Sequence, residues 1–358
     1  MNRVLLVTLC FVLMPACASP EVGAQSATIL NGATDTTSNA VIMVGHMVGG
    51  GMFCSGTLIA PDLILTARHC LGATYMGSTS AAVCEGSNAS RFSTVHATTA
   101  AVVRIGPSLE DSVAVPAAEI ISLPEAGSVP NCGNDVLIVR LRDALTMPAP
   151  LEVVLDAEVA VDDTLSVVGY GYGMPGVEST FGTRRRRDDA HVLHVGRLVG
   201  GTPPTAVIID GEFGVDEGPC PGDSGGPALD ALGRVVGVMS RGNTASCQGM
   251  VYESLVPHAD WIREVVSASY ERRGETVPAW ARTVPRDAGM PDAAVVDADA
   301  GQVSAPDAGR VSAPDAGSSG GGSSSGGCAV HTGQRSPMGL AAVGIAFAAM
   351  MRRLRTRG

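Results

Sequence analysis

The chain lacks several features that would point to common classes of protein. It has no excess of positive charge, since its formal net charge is −11, and nucleic acid is therefore not an expected partner. Its cysteines show no C-x-x-C spacing, which argues against a metal site built from them. Its apolar runs fall short of the roughly 20 residues that a membrane-spanning helix needs. From residue 40 to about 145 there is no long helical period, and short apolar runs alternate with Gly, Pro, Asn and Ser. This pattern predicts an all-β fold.

The stretch that carries the most chemistry is C-P-G-D-S-G-G-P, from Cys220 to Pro227. Ser224 is its candidate nucleophile, but a serine hydroxyl needs a histidine base, an acid that orients this base, and donors for the charge that develops. The backbone N–H groups of Gly222 and Ser224 are candidates for the donors of an oxyanion hole. A short G-D-S-G sequence is also typical of a polar turn, so the assignment depends on a base and an acid elsewhere in the chain.

Both partners occur upstream in suitable surroundings. Residues 54–70 read C-S-G-T-L-I-A-P-D-L-I-L-T-A-R-H-C, which predicts two apolar strands joined by a P-D turn and followed by His69. Residues 132–141 read C-G-N-D-V-L-I-V-R-L and place Asp135 directly before an apolar strand. Taken alone, such a histidine is more often structural and such an aspartate is more often a turn residue. Together with the serine motif they predict a catalytic triad.

The three motifs, in the order His, Asp, Ser, resemble those of the trypsin/chymotrypsin family of serine endopeptidases. The resemblance covers about residues 29–271. It implies that His69 is the general base, that Asp135 orients it, and that Ser224 attacks the scissile carbonyl of a protein or peptide substrate, with no cofactor and no metal ion.

The same resemblance implies the architecture. The fold would consist of two packed six-stranded antiparallel Greek-key β-barrels with the active site in the seam between them. The G-Y-G at residues 169–171 is similar to the G-W-G of the family's second barrel. Apolar residues recur at three- and four-residue spacing after Val256, which predicts a C-terminal α-helix. The resemblance packs this helix against the second barrel.

A zymogen is implied by the start of the matching region. Residues 29–32 read I-L-N-G, similar to the sequence at which the family is cleaved. Cleavage before Ile29 would free an α-amine that pairs with Asp223, and this ion pair would order the oxyanion loop. The residue before the cut, Thr28, does not imply an activator of trypsin specificity.

The resemblance also assigns the substrate-binding residues, which are Gly218, Ser240, Gly242 and Met250. Gly218 stands six residues before Ser224 and would form the floor of the primary specificity pocket. A pocket that selects Arg or Lys needs a carboxylate at this floor, and glycine supplies none. We therefore expect an apolar pocket whose size is set by Met250 or Gly249. Asp216 and Glu217 leave open the alternative that a shifted loop brings a carboxylate to the floor.

Nine cysteines are present, and six of them fall within the region of resemblance. By analogy with the family, Cys54 pairs with Cys70 and Cys220 with Cys247. Cys84 and Cys132 would then form the third disulfide. Disulfides agree with export from the cytoplasm.

The remaining segments predict a route to the cell surface. The predicted organisation is a signal peptide (1–18), a short propeptide (19–28), the peptidase domain (29–275), a disordered Pro/Asp/Ala/Gly/Ser linker (283–327) and a C-terminal sorting or anchor tail (328–358). Cys17 leaves open a lipoprotein signal. The tail, with Cys328 after two glycines, an apolar run and an Arg cluster, resembles the MYXO-CTERM sorting tails of bacterial surface proteins. A marginal membrane anchor is the alternative.

Two other classes of function compete with a peptidase. One is a binding protein that keeps the protease fold without its chemistry, and the other is a surface adhesin whose working parts are the linker and the tail. The intact triad argues against the first. We expect a monomer that acts on proteins or peptides and contacts the membrane only through its tail. The basic block Arg184–Arg187 is followed by two aspartates and is interpreted as a solvated loop.

Overall fold

The computed structural model describes residues 29–75, 84, 91–124, 130–172, 181–198 and 207–282. The predicted signal peptide, propeptide, linker and tail lie outside these residues. In the described part of the chain, no helix combines the length and the apolar character needed to cross a membrane.

The fold is all-β with one C-terminal helix. In chain order the strands are β1 (Ala33–Thr34), β2 (Val41–His46), β3 (Met52–Ala60), β4 (Leu63–Thr66), β5 (Gly72–Tyr75), β6 (Arg91–Val95), β7 (Ala101–Ile105), β8 (Val113–Ala114), β9 (Ala117–Ser122), β10 (Leu137–Leu141), β11 (Thr164–Gly169), β12 (Arg185–Val195), β13 (Glu212–Glu217), β14 (Pro227–Leu229), β15 (Val235–Asn243) and β16 (Gln248–Ser254). The α-helix, α1, spans Ala259–Arg272.

The first barrel is an antiparallel sheet with the strand order β8-β7-β2-β3-β4-β10-β9. Six of these strands form its body, and β8 adds a two-residue edge. The predicted P-D turn is confirmed, because β3 ends at Ala60 and β4 begins at Leu63. β5 and β6 pair separately as a two-stranded sheet. The apolar core contains Leu58, Ile64, Leu137 and Val139, all fully buried.

The second barrel has the strand order β1-β12-β11-β14-β15-β16-β13, and an additional pairing of β12 with β13 closes it. Again six strands form the body, and the two-residue β1 lies at the edge. Its core includes Val167, Phe213, Val215 and Tyr252. The prediction of two six-stranded antiparallel barrels with a C-terminal helix is therefore confirmed.

The seam between the barrels contains polar side chains that have partners on both sides. Tyr170, which follows β11 in the second barrel, donates its hydroxyl to the carbonyl oxygens of Val41 (2.8 Å) and Gly106 (2.6 Å) in the first. Ser55 on β3 accepts the N–H of Tyr170 at 3.0 Å. These bonds set the position of the two barrels relative to each other, and with it the position of any site that both of them build.

The C-terminal helix forms as predicted, and polar side chains of the α1 region contact the first barrel. Asp62, in the β3–β4 turn, accepts hydrogen bonds from Ser269 and Arg273 of the α1 region. Ile262 and Val266 supply its buried face. The pattern of apolar residues shows which face of a helix is buried, but it does not show which barrel covers that face.

The basic block is not a solvated loop, so that interpretation was wrong. Arg184 is 1% exposed and Arg187 is 7% exposed, and strand β12 begins within the block, at Arg185. Arg184 lies 3.4 Å from Asp35 and donates to the Asn39 side chain at 2.8 Å. Arg187 contacts Asp189 at 2.6 Å. Buried arginines need such partners, because an unpaired buried charge is costly.

Candidate active site

His69 and Asp135 are brought together from two loops of the first barrel. His69 lies in the single turn Arg68–Cys70 that follows β4, and Asp135 precedes β10. The Nδ1 atom of His69 is 2.7 Å from Oδ2 of Asp135. The backbone N–H of His69 also donates to Oδ1 of Asp135, at 2.9 Å. Both oxygens of the aspartate therefore face the histidine, and the imidazole is held with Nδ1 turned inward.

Ser240 is a further partner of this pair. Its hydroxyl donates to Oδ2 of Asp135 at 2.7 Å. The resemblance assigned Ser240 to substrate binding, and it does lie on β15 beside the pair, but its side chain bonds to the aspartate. Asp135 is only 3% exposed, so its charge depends on these donors for the solvation that water would otherwise provide.

The charge balance of the pair follows from this geometry. Burial opposes ionisation of both groups, yet the mutual attraction and the hydrogen bonds between them prevail. The pKa of Asp135 is lowered below its usual value, because His69 and Ser240 stabilise the carboxylate. The pKa of His69 is raised above its usual value by the adjacent charge and hydrogen bond of Asp135. An imidazole with this basicity suits a general base that works near neutral pH.

Ser224 lies in the turn between Cys220, which forms a disulfide with Cys247, and strand β14. It is half-buried. Its carbonyl oxygen accepts the N–H of Ser55 at 2.7 Å, which ties the turn to β3 of the first barrel. The Sγ atom of Cys70 lies 4.0 Å from Nε2 of His69 and 3.7 Å from the carbonyl oxygen of Ser224. The two residues thus flank the same disulfide at the seam between the barrels.

The turn around Ser224 requires glycine at two positions. Gly222 has a φ of 101°, and a Cβ atom there would lie 2.8 Å from both Gly171 Cα and the Phe181 ring. Gly225 has a φ of 79°, and a Cβ atom there would overlap the backbone of Ser55 and the Thr66 hydroxyl. The carbonyl of Gly222 accepts the hydroxyl of Ser55 at 3.0 Å. The sequence analysis missed Ser55, although it stands within the C-S-G motif.

Asp223 is buried beside the G-Y-G segment. Its carboxylate accepts backbone N–H groups from Gly171 (2.7 Å) and Cys220 (2.8 Å). It leaves no room for a side chain at Gly169 or Gly171, which explains both glycines of that segment. Burial raises its pKa to about 7. In the described part of the chain, no cation pairs with this carboxylate.

Ile29 lies in the core of the second barrel, with its side chain fully buried. Its neighbour Leu30 donates a backbone hydrogen bond to the carbonyl of Gly218 at 2.7 Å. Within the described residues, no hydrogen bond or ion pair joins Ile29 to Asp223. Strand β11 connects the surroundings of the two residues. Ile29 packs in the same core as Val167 on β11, and β11 continues to the glycines against which Asp223 packs.

Gly218, Gly242 and Met250 lie on the second barrel. Gly218 is buried, and a Cβ atom there would lie 3.4 Å from Val167 and 3.5 Å from Ile29. Gly242 is covered by Met250, whose thioether sulfur would overlap a Cβ atom and whose Cε would lie 2.9 Å from it. Met250 is 1% exposed. The methionine side chain therefore lies directly on the glycine.

The described residues contain three disulfides, as predicted, and they join Cys54 to Cys70, Cys84 to Cys132, and Cys220 to Cys247. The ligand atoms of Cys54, His69 and Cys70 lie within 4.8 Å of one another. Both sulfurs are oxidised in the disulfide, so they offer no thiolate to a metal ion.

Comparisons with known proteins identify the family of this chain. The family model described as Trypsin matches residues 29–262. The chain is 28% identical over 232 residues to a trypsin of Saccharopolyspora erythraea, covering 61% of this chain and 89% of that protein. It is 25% identical over 233 residues to human granzyme M, covering 62% of this chain and 82% of that protein. Among solved structures, it is similar to mouse neuropsin, a serine protease of the limbic system, with 18% identity, a TM-score of 0.49, and coverage of 66% of this chain and 99% of that chain. With the family model spanning more than half of its length, the chain belongs to the trypsin family of serine proteases.

Proposed function

We propose that this protein is an exported serine endopeptidase that cleaves peptide bonds through the triad His69, Asp135 and Ser224. The observation that carries the proposal is the position of His69, whose ring Nδ1 and backbone N–H both bond to the carboxylate of Asp135. Its other nitrogen faces the disulfide that also contacts Ser224.

The proposed mechanism assigns one role to each side chain. The hydroxyl oxygen of Ser224 attacks the carbonyl carbon of the substrate, and Nε2 of His69 takes the hydroxyl proton. His69 returns this proton to the leaving amine, which departs and leaves an acyl group on Ser224. A water molecule, deprotonated in turn by His69, then attacks the acyl group. The bond to Ser224 breaks, and His69 returns the proton to the serine oxygen. Asp135 stays ionised throughout and stabilises the imidazolium that forms in each half of the reaction.

The N–H groups of Gly222 and Ser224 are proposed to bind the oxyanion of the tetrahedral intermediate. The hydrogen bond from Ser55 to the carbonyl of Gly222 supports this role, because it fixes the Gly222–Asp223 peptide, which lies between the two proposed donors. Preorganised donors act only on the charge that develops during the reaction, and each one accounts for about 10² to 10³ in kcat.

Activation by cleavage before Ile29 is the first prediction. Asp223 has no cation partner among the described residues, and its pKa is raised to about 7 by burial. A new α-amine at Ile29 would supply the missing charge and stabilise the ionised carboxylate. We expect protein that begins at Ile29 to hydrolyse a peptide library, and protein extended to include residues 19–28 to be much less active.

The matched control is Asp223→Asn in protein that begins at Ile29. It keeps the size of the side chain but removes the charge that the amine would neutralise, and it should reduce activity to the level of the extended form. Equal activity of the extended and trimmed proteins would mean that the oxyanion loop is ordered without the new terminus.

The second prediction concerns specificity. We propose a primary pocket with Gly218 at its floor and Gly242 on its wall, where the packed side chain of Met250 restricts the space to a small apolar residue. Asp216 and Glu217 contact Arg187 at 3.5 and 3.2 Å, which supports an apolar floor because both carboxylates already have a cation. The change Met250→Ala should enlarge this space. It should raise kcat/KM for a peptide with Leu or Phe before the scissile bond by about 10- to 200-fold, relative to kcat/KM for the matched peptide with Ala at that position.

Steady-state kinetics on matched peptides with Ala, Leu, Phe or Arg at that position would measure this effect. Met239→Ala is a suitable control, because it removes another buried methionine of the same core. A preference of the unaltered protein for Arg would contradict the apolar pocket.

Export is proposed from the predicted signal peptide (1–18). Secretion is typical of trypsin-like proteases, and the three disulfides fit an extracellular location. We further propose that residues 283–327 act as a linker and that residues 328–358 carry the sorting or anchoring signal, so that the peptidase domain works as a monomer at the cell surface.

A further inference from the structure

Three buried carboxyl groups lie around the loop that precedes β10. Asp135 belongs to this loop and is 3% exposed, whereas Glu212 on β13 and Glu253 on β16 come from the second barrel and are 1% and 0% exposed. The register of β13 and β16 places Glu212 directly opposite Glu253. Acidic side chains are seldom fully buried without a specific role or partner.

Both glutamates accept hydrogen bonds from the backbone of the Asp135 loop. The N–H of Gly133 donates to Oε1 of Glu253 at 3.0 Å and to Oε1 of Glu212 at 2.8 Å. The N–H of Asp135 itself donates to Oε1 of Glu253 at 3.2 Å. The loop that carries the triad aspartate is thus fastened across the seam to the second barrel through Glu253.

The one cation that bonds to these glutamates, among the described residues, is Arg241 on β15. Its two terminal nitrogens each contact a carboxylate oxygen of Glu212 at 2.6 Å, in a bidentate pair. This bidentate ion pair gives Glu212 a cationic partner. Glu253 has no cation of its own, and its Oε2 atom has no hydrogen-bond partner within the described residues.

The surroundings of Glu253 favour its neutral form over the carboxylate. Burial is the main cause, and the negative charges of Glu212 on β13 and Asp135 before β10 add to it, so that the pKa of Glu253 is raised well above its usual value despite the opposing charge of Arg241. Oε1 already accepts two N–H groups, which leaves Oε2 as the oxygen that can carry a proton. In that neutral form the acid would hold the loop and add no second negative charge behind Asp135.

We propose that Glu253, in its neutral form, is a positioning residue of the active site, which holds the backbone of Gly133 and Asp135 so that the aspartate meets His69. The expected effect of Glu253 on kcat rests on the proposed function. An ionised Glu253 would strengthen the negative field at His69 and would itself be an uncompensated buried charge.

Two variants of the protein that begins at Ile29 test the proposal. Glu253→Gln keeps a neutral side chain with an accepting oxygen, and we expect its kcat, KM and pH profile to match those of the unaltered protein. Glu253→Met keeps the length but removes the acceptor. It should lower kcat by about 10- to 100-fold, since a misplacement of 1 Å at a catalytic group can cost about 100-fold. KM should change little. Active-site titration with a serine-reactive phosphonate gives kcat per competent site and corrects for misfolded protein.

A second measurement does not depend on hydrolysis. The ionisation of His69, followed by proton NMR of its ring, should be the same in the Gln variant as in the unaltered protein and should shift in the Met variant. If the unaltered protein hydrolyses nothing, the proposed function fails while this titration still tests the inference.

The proposal would be overturned by a Met variant with unchanged kcat per site and unchanged His69 ionisation. It would also be overturned by a Gln variant in which the pKa of His69 falls, because that would mean that Glu253 carries a charge in the unaltered protein. If the Met variant does not fold, the Gln variant still decides whether Glu253 is neutral, which the proposal requires.

Discussion

Replacement of Ser224 by alanine is expected to lower kcat for peptide hydrolysis by about 10⁶-fold, as loss of the nucleophile does in an intact triad. The change removes only the attacking oxygen. The structural contacts of this residue are made by its backbone, where the carbonyl accepts the N–H of Ser55 at 2.7 Å. Alanine preserves that bond, so the free energy of unfolding should stay close to that of the unaltered protein.

Ser108→Ala is the matched control, since it also deletes one hydroxyl, in this case one that bonds to Asp111 outside the active site. Its kcat should equal that of the unaltered protein. Burst kinetics and thermal unfolding on the three proteins would separate loss of chemistry from loss of fold. Substantial turnover by the alanine variant would end the assignment of Ser224.

Replacement of Asp135 by asparagine is expected to lower kcat by about 10⁴-fold near neutral pH, the usual effect of this change in a Ser–His–Asp triad. The amide oxygen can accept from only some of the present donors, which are His69 Nδ1, His69 N and Ser240 Oγ. The amide nitrogen would face a donor and favour the wrong tautomer of His69. Loss of the negative charge should also lower the pKa of His69.

The pH dependence gives this prediction a second readout. Because the base must be neutral, kcat/KM of the unaltered protein should fall with unit slope below the pKa of His69, which Asp135 raises above its usual value. In the asparagine variant this acid limb should move to lower pH. An acid limb that does not move would mean that Asp135 does not control the ionisation of the base.

Those features that depend on residues close together in the chain could be predicted from the sequence. The β3–β4 hairpin and His69 follow from one stretch of 17 residues, 54–70. The glycines around Ser224 follow from the steric demands of one turn. The disulfides needed the family resemblance, since six cysteines alone allow 15 connectivities.

Features that depend on distant partners could not be predicted. The arginines 184–187 stand before two aspartates in the sequence, which predicted a solvated loop. Arg184 is instead buried against Asp35, about 150 positions earlier in the chain. The polar contacts of α1 depend on Asp62, which lies more than 200 positions before Ser269. In the same way, Glu212 and Glu253 become neighbours only through the register of β13 and β16. A charged residue within the apolar run M-V-Y-E-S-L-V was the one local signal of Glu253.

Covalent labelling tests the central claim most directly. An organophosphonate reacts rapidly only with a serine that is activated by a base and faces an oxyanion hole. Protein that begins at Ile29 should take up one phosphonyl group per molecule, peptide mapping should locate it on Ser224, and His69→Ala should abolish the reaction. The account would be contradicted by unlabelled protein, or by a label on another residue that the histidine change does not affect.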